Sequence, residues 1–253
     1  MNNKMKKPFL TTREIVIIGI LGAITVVLGM TPLGFVPIGP LNATTMHIPV
    51  LIAAFIEGPV VGGFVGLIFG LSSLFNAITR PTPISFVFYN PLISILPRIL
   101  LGVISAYIFR FFKSFDADGL KKLGMAAWLG VIVFLAVGLY KNIAAKTYGA
   151  SAILNGGFLV LSAVLFIWIM RTKTKASAVV LAAFVSTILH SVMVMGGIYI
   201  FFAQEFVRAV GASEALVNSV IFGTIITSGV PEGILAGIVS TGVVTAWTAG
   251  KSS

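Results

Sequence analysis

Apolar residues fall in long runs separated by short polar or helix-breaking segments. A helix crossing the hydrocarbon core needs roughly 20 mostly apolar residues. The first run is Ile15–Met30, followed by Thr31-Pro-Leu-Gly-Phe-Val-Pro-Ile-Gly-Pro40. Pro32, Pro37 and Pro40 forbid a regular helix in that stretch. From His47 to Phe75 the chain is apolar except at Glu57-Gly58-Pro59. That interruption predicts two helices with a tight turn, the first short or tilted.

A second punctuated stretch, Thr79-Arg-Pro-Thr-Pro83, precedes a helix predicted from about Tyr89 to Phe109. Arg110–Lys122 reads as a polar connector, and Leu123–Tyr140 and Ala152–Met170 as two further crossings that end at Arg171-Thr-Lys-Thr-Lys175. Ala176–Ala203 is long enough to cross with tilt. Glu205–Glu214 reads as an amphiphilic loop. The last segment, Ala215–Gly250, is interrupted at Ser228-Gly-Val-Pro-Glu-Gly233. Its first part reads as a lid or interfacial helix and Gly233–Gly250 as the last crossing. The pattern predicts an all-α, polytopic membrane bundle of about eight crossings. Barrel strands are excluded because the runs lack their alternating period.

Composition agrees. Of 253 residues, 58% are hydrophobic and 9% charged, against about 25% charged in soluble domains. A water-soluble enzyme, a disordered tail and a nucleic-acid-binding module are thereby excluded. The net charge of +10 follows from cations gathered at one membrane face. With both termini cytoplasmic, twelve cations lie inside: Lys4, Lys6, Lys7, Arg13, Arg110, Lys113, Lys121, Lys122, Arg171, Lys173, Lys175 and Lys251. Four lie outside, Arg80, Lys141, Lys146 and Arg208, and Arg98 sits within a helix. That asymmetry fits the positive-inside rule. The run from Ile15 has no small-residue cleavage site after it and reads as a retained helix.

Arg98 is the most informative position. Placing an arginine near the bilayer centre costs at least about 2.5–3.5 kcal/mol, so its surroundings must be polar. Asn90, Ser94, Arg98, Gly102 and Ser105 recur at spacings of three and four, which puts them on one helix stripe. Two readings stand for Arg98: contact with an anionic ligand group, or an ion pair with Glu232. His190 lies mid-helix on roughly the face of Ser186 and Gly197, and His47 reads as a cap or tether for the proline-rich loop. Two distant histidines and no cysteine supply no metal-ligand spacing. Gly62, Gly66 and Gly70 have the spacing of close helix packing within the chain. Gly19 and Ala23 have it too, with a partner subunit as the alternative. Gly70-Leu-Ser-Ser73 with His190 imitates a Ser/His dyad but lacks an oxyanion-hole motif. No Walker signature is present, so the chain cannot use ATP by itself.

Several motifs resemble a known family. Thr31–Val50 resembles the first loop and second helix of the substrate-binding S components of energy-coupling-factor (ECF) vitamin transporters. Ile56-Glu-Gly-Pro59, Thr79-Arg-Pro-Thr-Pro83, Ser85-Phe-Val-Phe-Tyr-Asn-Pro91 and Leu96-Pro-Arg-Ile-Leu100 continue the likeness, as does Gly229-Val-Pro-Glu-Gly233. The set is most similar to the pantothenate-type branch. This resemblance implies a six-helix core in the cell membrane that captures a vitamin from outside and topples to release it. It implies a transmembrane coupling subunit and two cytoplasmic ATPases as partners, with Gly19 and Ala23 packing on the coupling subunit, and no catalysis, cofactor or nucleic acid.

Two departures stand out. Residues 123–170 add a helical hairpin to the six-helix core, and His190 stands where the family leads us to expect Asn. Pantothenate carries a carboxylate, hydroxyls and an amide, which suit one cation with several neutral hydrogen-bonding groups. Arg98 or Arg80 is expected to take the carboxylate. Asn42, Thr45, Asn76, Tyr89, Asn90 and His190 are candidates for the neutral groups, and Phe35, Phe86 and Phe88 for the walls. The alternatives are an S component for another vitamin or precursor (riboflavin, folate, queuosine-type) and an intramembrane hydrolase.

Overall fold

Thr11 and Glu14 open the first helix with reciprocal caps: the Thr11 hydroxyl accepts from the Glu14 N–H, and Glu14 Oε2 accepts from the Thr11 N–H at 2.7 Å. Together they satisfy two donors that a helix start leaves free. The helix therefore begins before the apolar run does, and α1 spans Thr12–Met30. The computed structural model describes residues 9–38, 41–144, 146, 150–171 and 176–250.

The proline-rich loop is more ordered than its composition suggests. A short turn of helix at Pro32–Gly34 leads into an antiparallel hairpin, β1 (Phe35–Ile38) and β2 (Leu41–Thr44). Proline cannot donate to a ladder but is tolerated on edge strands, and a two-stranded ribbon consists of edges, so Pro37 fits. Gly39 and Pro40 lie outside the described residues.

The helix α2 (Ile48–Glu57) is buried from Ile48 to Phe55. A helix apolar on all sides belongs in the centre of a bundle, and α2 packs against α1, α3, α5 and α9. Its ten residues reach only about 15 Å, too short to cross alone. Gly58, at φ 96°, turns the chain into α3 (Pro59–Thr79). Side chains other than glycine's are strained there, and Pro59 starts the new helix where its missing N–H costs nothing.

The fourth apolar stretch begins later than its hydropathy predicts. Ser85–Tyr89 is a tight helical turn, α4 spans Pro91–Ser94, and α5 spans Leu96–Lys113. Pro91 starts the one-turn α4 and Pro97 stands in the first turn of the long α5, which prevents one continuous helix from Tyr89. The expected polar connector is mostly helix, because only three residues separate the end of α5 from α6 (Ala117–Ala144). Then come α7 (Ala150–Arg171), α8 (Ala176–Ala209) and α9 (Val217–Ala249). Residues 172–175 of the basic connector lie outside the described residues.

Non-helical backbone at Phe202 kinks α8, next to the predicted end of that crossing at Ala203. The predicted break at 228–233 is absent, and α9 runs through Pro231. Proline frees one carbonyl of the ladder, a loss tolerated in membrane helices whose neighbours and hydroxyl side chains resatisfy it. Among the described residues, seven helices are long and apolar enough to span a membrane. With the short α2 they account for the eight expected segments. The protein is a polytopic helical bundle.

The Gly62–Gly66–Gly70 row packs within the chain, as its spacing predicts. A methyl group at Gly66 would collide with the carbonyl oxygen of Arg98, and one at Gly102 with that of Gly62. Backbone therefore lies on backbone where α3 crosses α5, which fixes Arg98 in depth and rotation. Helices α6 and α7 pack mainly on each other and meet the rest through α8 and α9. Buried Trp128 anchors that contact, its ring 5.2 Å from Phe184. At the far end of the bundle, Arg13 pairs with Glu57 and lies 5.4 Å over the Trp247 ring.

Candidate functional site

Where α1 and α3 end, the bundle encloses a cavity of about 500 Å³. That volume is in the range of small-molecule sites, roughly 300–1,000 Å³. Gly29–Pro32 of α1 and its exit, Ser73–Arg80 of α3, Thr44 of β2 and the loop around Thr82–Phe88 all contribute to its wall. Deeper lining comes from Arg98 of α5, from α8 between His190 and Ile198, and from Thr224, Ser228 and Glu232 of α9.

Arg98 is the buried cation of this wall, with 5% of its surface exposed. It is the third residue of α5, held in place by the glycine contact with α3. Its guanidinium lies 5.4 Å from the Phe69 ring and 5.5 Å from the Phe88 ring. Its Nη1 donates to the carbonyl of Ile93, and its Nε has no partner among the described residues. A guanidinium carries five N–H donors, so most of its bonding capacity is unspent. Of the stripe expected along one helix, Gly102 and Ser105 are buried on α5 with Arg98, whereas Ser94 is buried at the end of α4 and Asn90 caps that helix.

Glu232 also lines the cavity, yet among the described residues no ion pair joins it to Arg98. Its Oε1 accepts from the backbone N–H of Thr44 at 2.7 Å. The ion-pair reading of Arg98 is thus replaced by two separate buried groups on a common cavity. Arg98 and Glu232 share this space without pairing, and each keeps hydrogen-bonding capacity for a third group.

His47, Thr187 and His190 form a second buried polar group. The rings of His47 and His190 stack 6.3 Å apart, and His190 sits 6.0 Å from Phe69. The Thr187 hydroxyl donates to the Ala183 carbonyl at 2.8 Å. Its one proton being used there, it accepts from His47 Nε2 at 3.2 Å, which assigns the proton to that nitrogen. His47 makes no side-chain cap on α2; it ties the start of α2 to α8 instead. His190 Nε2 has no partner. Among the described residues no three His, Asp or Glu side chains come together as a metal site.

The residues singled out from the sequence divide into two groups. Asn76, Arg80, Arg98 and His190 come together on the cavity wall, and Phe88 joins them. Asn76 Nδ2 donates to the Gly29 carbonyl at 3.0 Å and Arg80 Nη1 to that of Met30 at 3.3 Å, which ties α3 to the end of α1. Thr45, Tyr89 and Asn90 lie off the wall. The Thr45 hydroxyl donates to the Leu33 carbonyl at 2.9 Å, Asn90 caps α4 through the Leu92 N–H, and Tyr89 is exposed. The side chains of Phe35 and Asn42 lie outside the described residues. Phe86 packs edge-on against Phe202.

Ser73 lines the cavity beside His190, but neither Ser72 nor Ser73 hydrogen-bonds to it. Sequence reasoning passed over Thr44, Thr224 and Ser228 as wall residues and met Ser73 only in the Ser/His imitation. A usable signal existed for two of them: Thr224, Ser228 and Glu232 recur every four residues on one helix face. Gly19 and Ala23 lie on the exposed side of α1, with nothing within 4 Å of a methyl placed at Gly19.

Comparison with known proteins adds the lineage. Residues 13–143 match the family described as ECF transporter, substrate-specific component. The pantothenate transporter PanT of Leuconostoc mesenteroides subsp. mesenteroides is 33% identical over 173 residues, which cover 68% of this chain and 74% of that protein. The pantothenic acid transporter PanT of Lactococcus lactis subsp. cremoris is 30% identical over 115 residues, 40% of this chain and 59% of that protein. A helical membrane bundle, a ligand-sized cavity and these matches agree: the chain belongs to the family of substrate-specific components of ECF transporters.

Proposed function

We propose that this S component binds pantothenate. The observation that carries the reading is Arg98, a buried cation with unspent donors on the wall of a ligand-sized cavity. A carboxylate is the natural partner of such a guanidinium, and the lower cost of a paired charge in the membrane favours that partner. Asn76, Arg80 and His190 stand on the same wall and suit the amide and hydroxyl groups. Asn42 is a further candidate for these groups, and Thr45, Tyr89 and Asn90 are second-choice contacts that a closing loop would have to bring in. Two relatives are pantothenate transporters by name, which supports the same substrate.

In this reading the protein lies in the cell membrane with both termini in the cytoplasm. The cavity then faces outward, since Arg13 and Arg110, two of the cations expected inside, lie by Glu57 and Gly58 at the other end. It works as a binding subunit, without catalysis, together with a transmembrane coupling subunit and two ATPases. The exposed Gly19/Ala23 face of α1 is the docking side for the coupling subunit. Residues 123–170, within α6 and α7, are an accessory hairpin added to a six-helix core.

Native mass spectrometry of the detergent-purified protein, followed by calorimetric titration with pantothenate, tests the proposal. The expected result is one retained or titratable pantothenate per chain. A different retained vitamin, or no heat with pantothenate after the retained ligand is removed, would overturn it.

A further inference from the structure

The pantothenate reading gives Arg98 a partner and leaves the α9 side of the cavity without a role. Thr224, Ser228 and Glu232 recur at intervals of four on α9 and all three line the cavity, as one helical face does. The Thr224 hydroxyl donates to the Val220 carbonyl at 2.7 Å, so toward the cavity it offers lone pairs. Glu232 holds the Thr44 N–H on Oε1 at 2.7 Å, and among the described residues its Oε2 makes no hydrogen bond. The bond to a backbone amide orients the carboxyl group before any ligand arrives. One wall of the cavity thus supplies donors, from Arg98, and another supplies acceptors.

We infer that Glu232 is a specificity-determining residue: it accepts hydrogen bonds from hydroxyl or amide N–H donors of a ligand whose carboxylate is held by Arg98. This rests on the proposed function and deepens it to a ligand chemistry. The ligand has an anion at one end and hydrogen-bond donors at the other. In its ionised form the carboxylate accepts only, and in that form it disfavours a ligand anionic at both ends. A site built to bond a hydroxyl also discriminates strongly against the analogue that lacks it, because its own polar group is then left unpaired.

The test is calorimetric titration of the full chain in nanodiscs with three probes. They are pantothenate, its analogue N-(3,3-dimethylbutanoyl)-β-alanine, which lacks both hydroxyls, and the di-O-methyl ether of pantothenate. Wild type is expected to prefer pantothenate over the dideoxy analogue by on the order of 100-fold. Glu232→Gln and Glu232→Ala are expected to shrink that preference at least about tenfold, chiefly by weakening pantothenate. Folded variants that keep the full preference, or that lose both ligands equally, overturn the inference. If neither variant folds, the ether decides on wild type. Rejection as strong as for the dideoxy analogue supports an acceptor wall, and ether binding as tight as pantothenate overturns it. Wild type that binds pantothenate without discriminating sinks this inference alone, whereas wild type that binds no pantothenate sinks the substrate reading and the inference with it.

Discussion

The backbone N–H of Thr44 donates to Glu232 Oε1 at 2.7 Å, joining residues 188 positions apart. It ties the hairpin after α1 to the last helix along the cavity wall. The bond is available because Phe35 and Thr44 face each other across the ribbon while the Thr45 N–H bonds to the Gly34 carbonyl. Ladder bonds alternate along an antiparallel pair, so the N–H of Thr44 points away from β1.

Thr44→Pro would delete this bond without removing a ladder bond. Hydrogen bonds to charged groups contribute about 1.5–3 kcal/mol, and the carboxyl group would lose its partner as well. We expect faster pantothenate release with the helices intact. Stopped-flow displacement and circular dichroism check this; an unchanged off-rate would show that the tie does not restrain the hairpin.

Arg98→Ala removes the cation of the site. Truncating one member of a buried charged pair costs about 2–5 kcal/mol, which is roughly 30-fold or more in Kd. Arg98→Lys keeps the charge but not the planar donor fork between Phe69 and Phe88, and is expected to restore only part of the affinity. Titration calorimetry reads both. A folded Arg98→Ala protein of unaltered affinity refutes the carboxylate assignment.

Gly66→Ala drives a methyl group into the Arg98 carbonyl. Overpacking of this kind costs about 1–3 kcal/mol, and here the displaced backbone carries the binding cation. Lower thermal stability together with weaker pantothenate binding is the expected pair of effects. Loss of stability alone would separate the glycine contact from the site.

Trp128→Ala empties the contact between the α6–α7 hairpin and α8. Removing a buried aromatic costs about 3–5 kcal/mol. Trp128 does not line the cavity, so pantothenate affinity should stay within a few-fold while the unfolding temperature drops. A large loss of affinity in a folded variant would make the hairpin part of the binding apparatus.

Gly19→Trp tests the outer face of α1. Nothing within the subunit lies within 4 Å of a methyl group at this position, so stability and ligand affinity should change by no more than about 0.5 kcal/mol. Pantothenate uptake by proteoliposomes that also contain the coupling subunit and ATPases should fall sharply. Normal uptake would remove α1 from the docking surface.

The sequence by itself determined the spanning segments and the polar setting of Arg98. Both follow from the cost of putting polar groups in hydrocarbon, which each segment reveals through its own composition. It also determined the turn at Gly58 and the glycine row on α3, because backbone geometry and side-chain size are local properties. Only the tertiary structure decided which polar residues meet. Thr44, not its neighbour Thr45, reaches the cavity because the hairpin register turns it inward. Glu232 answers to the hairpin and not to Arg98, and His47 pairs with Thr187, 140 positions away. Such pairings depend on how each helix is rotated and how its neighbours pack around it. No single segment carries that information, since hydropathy fixes that a helix is buried but not which of its residues looks into the cavity.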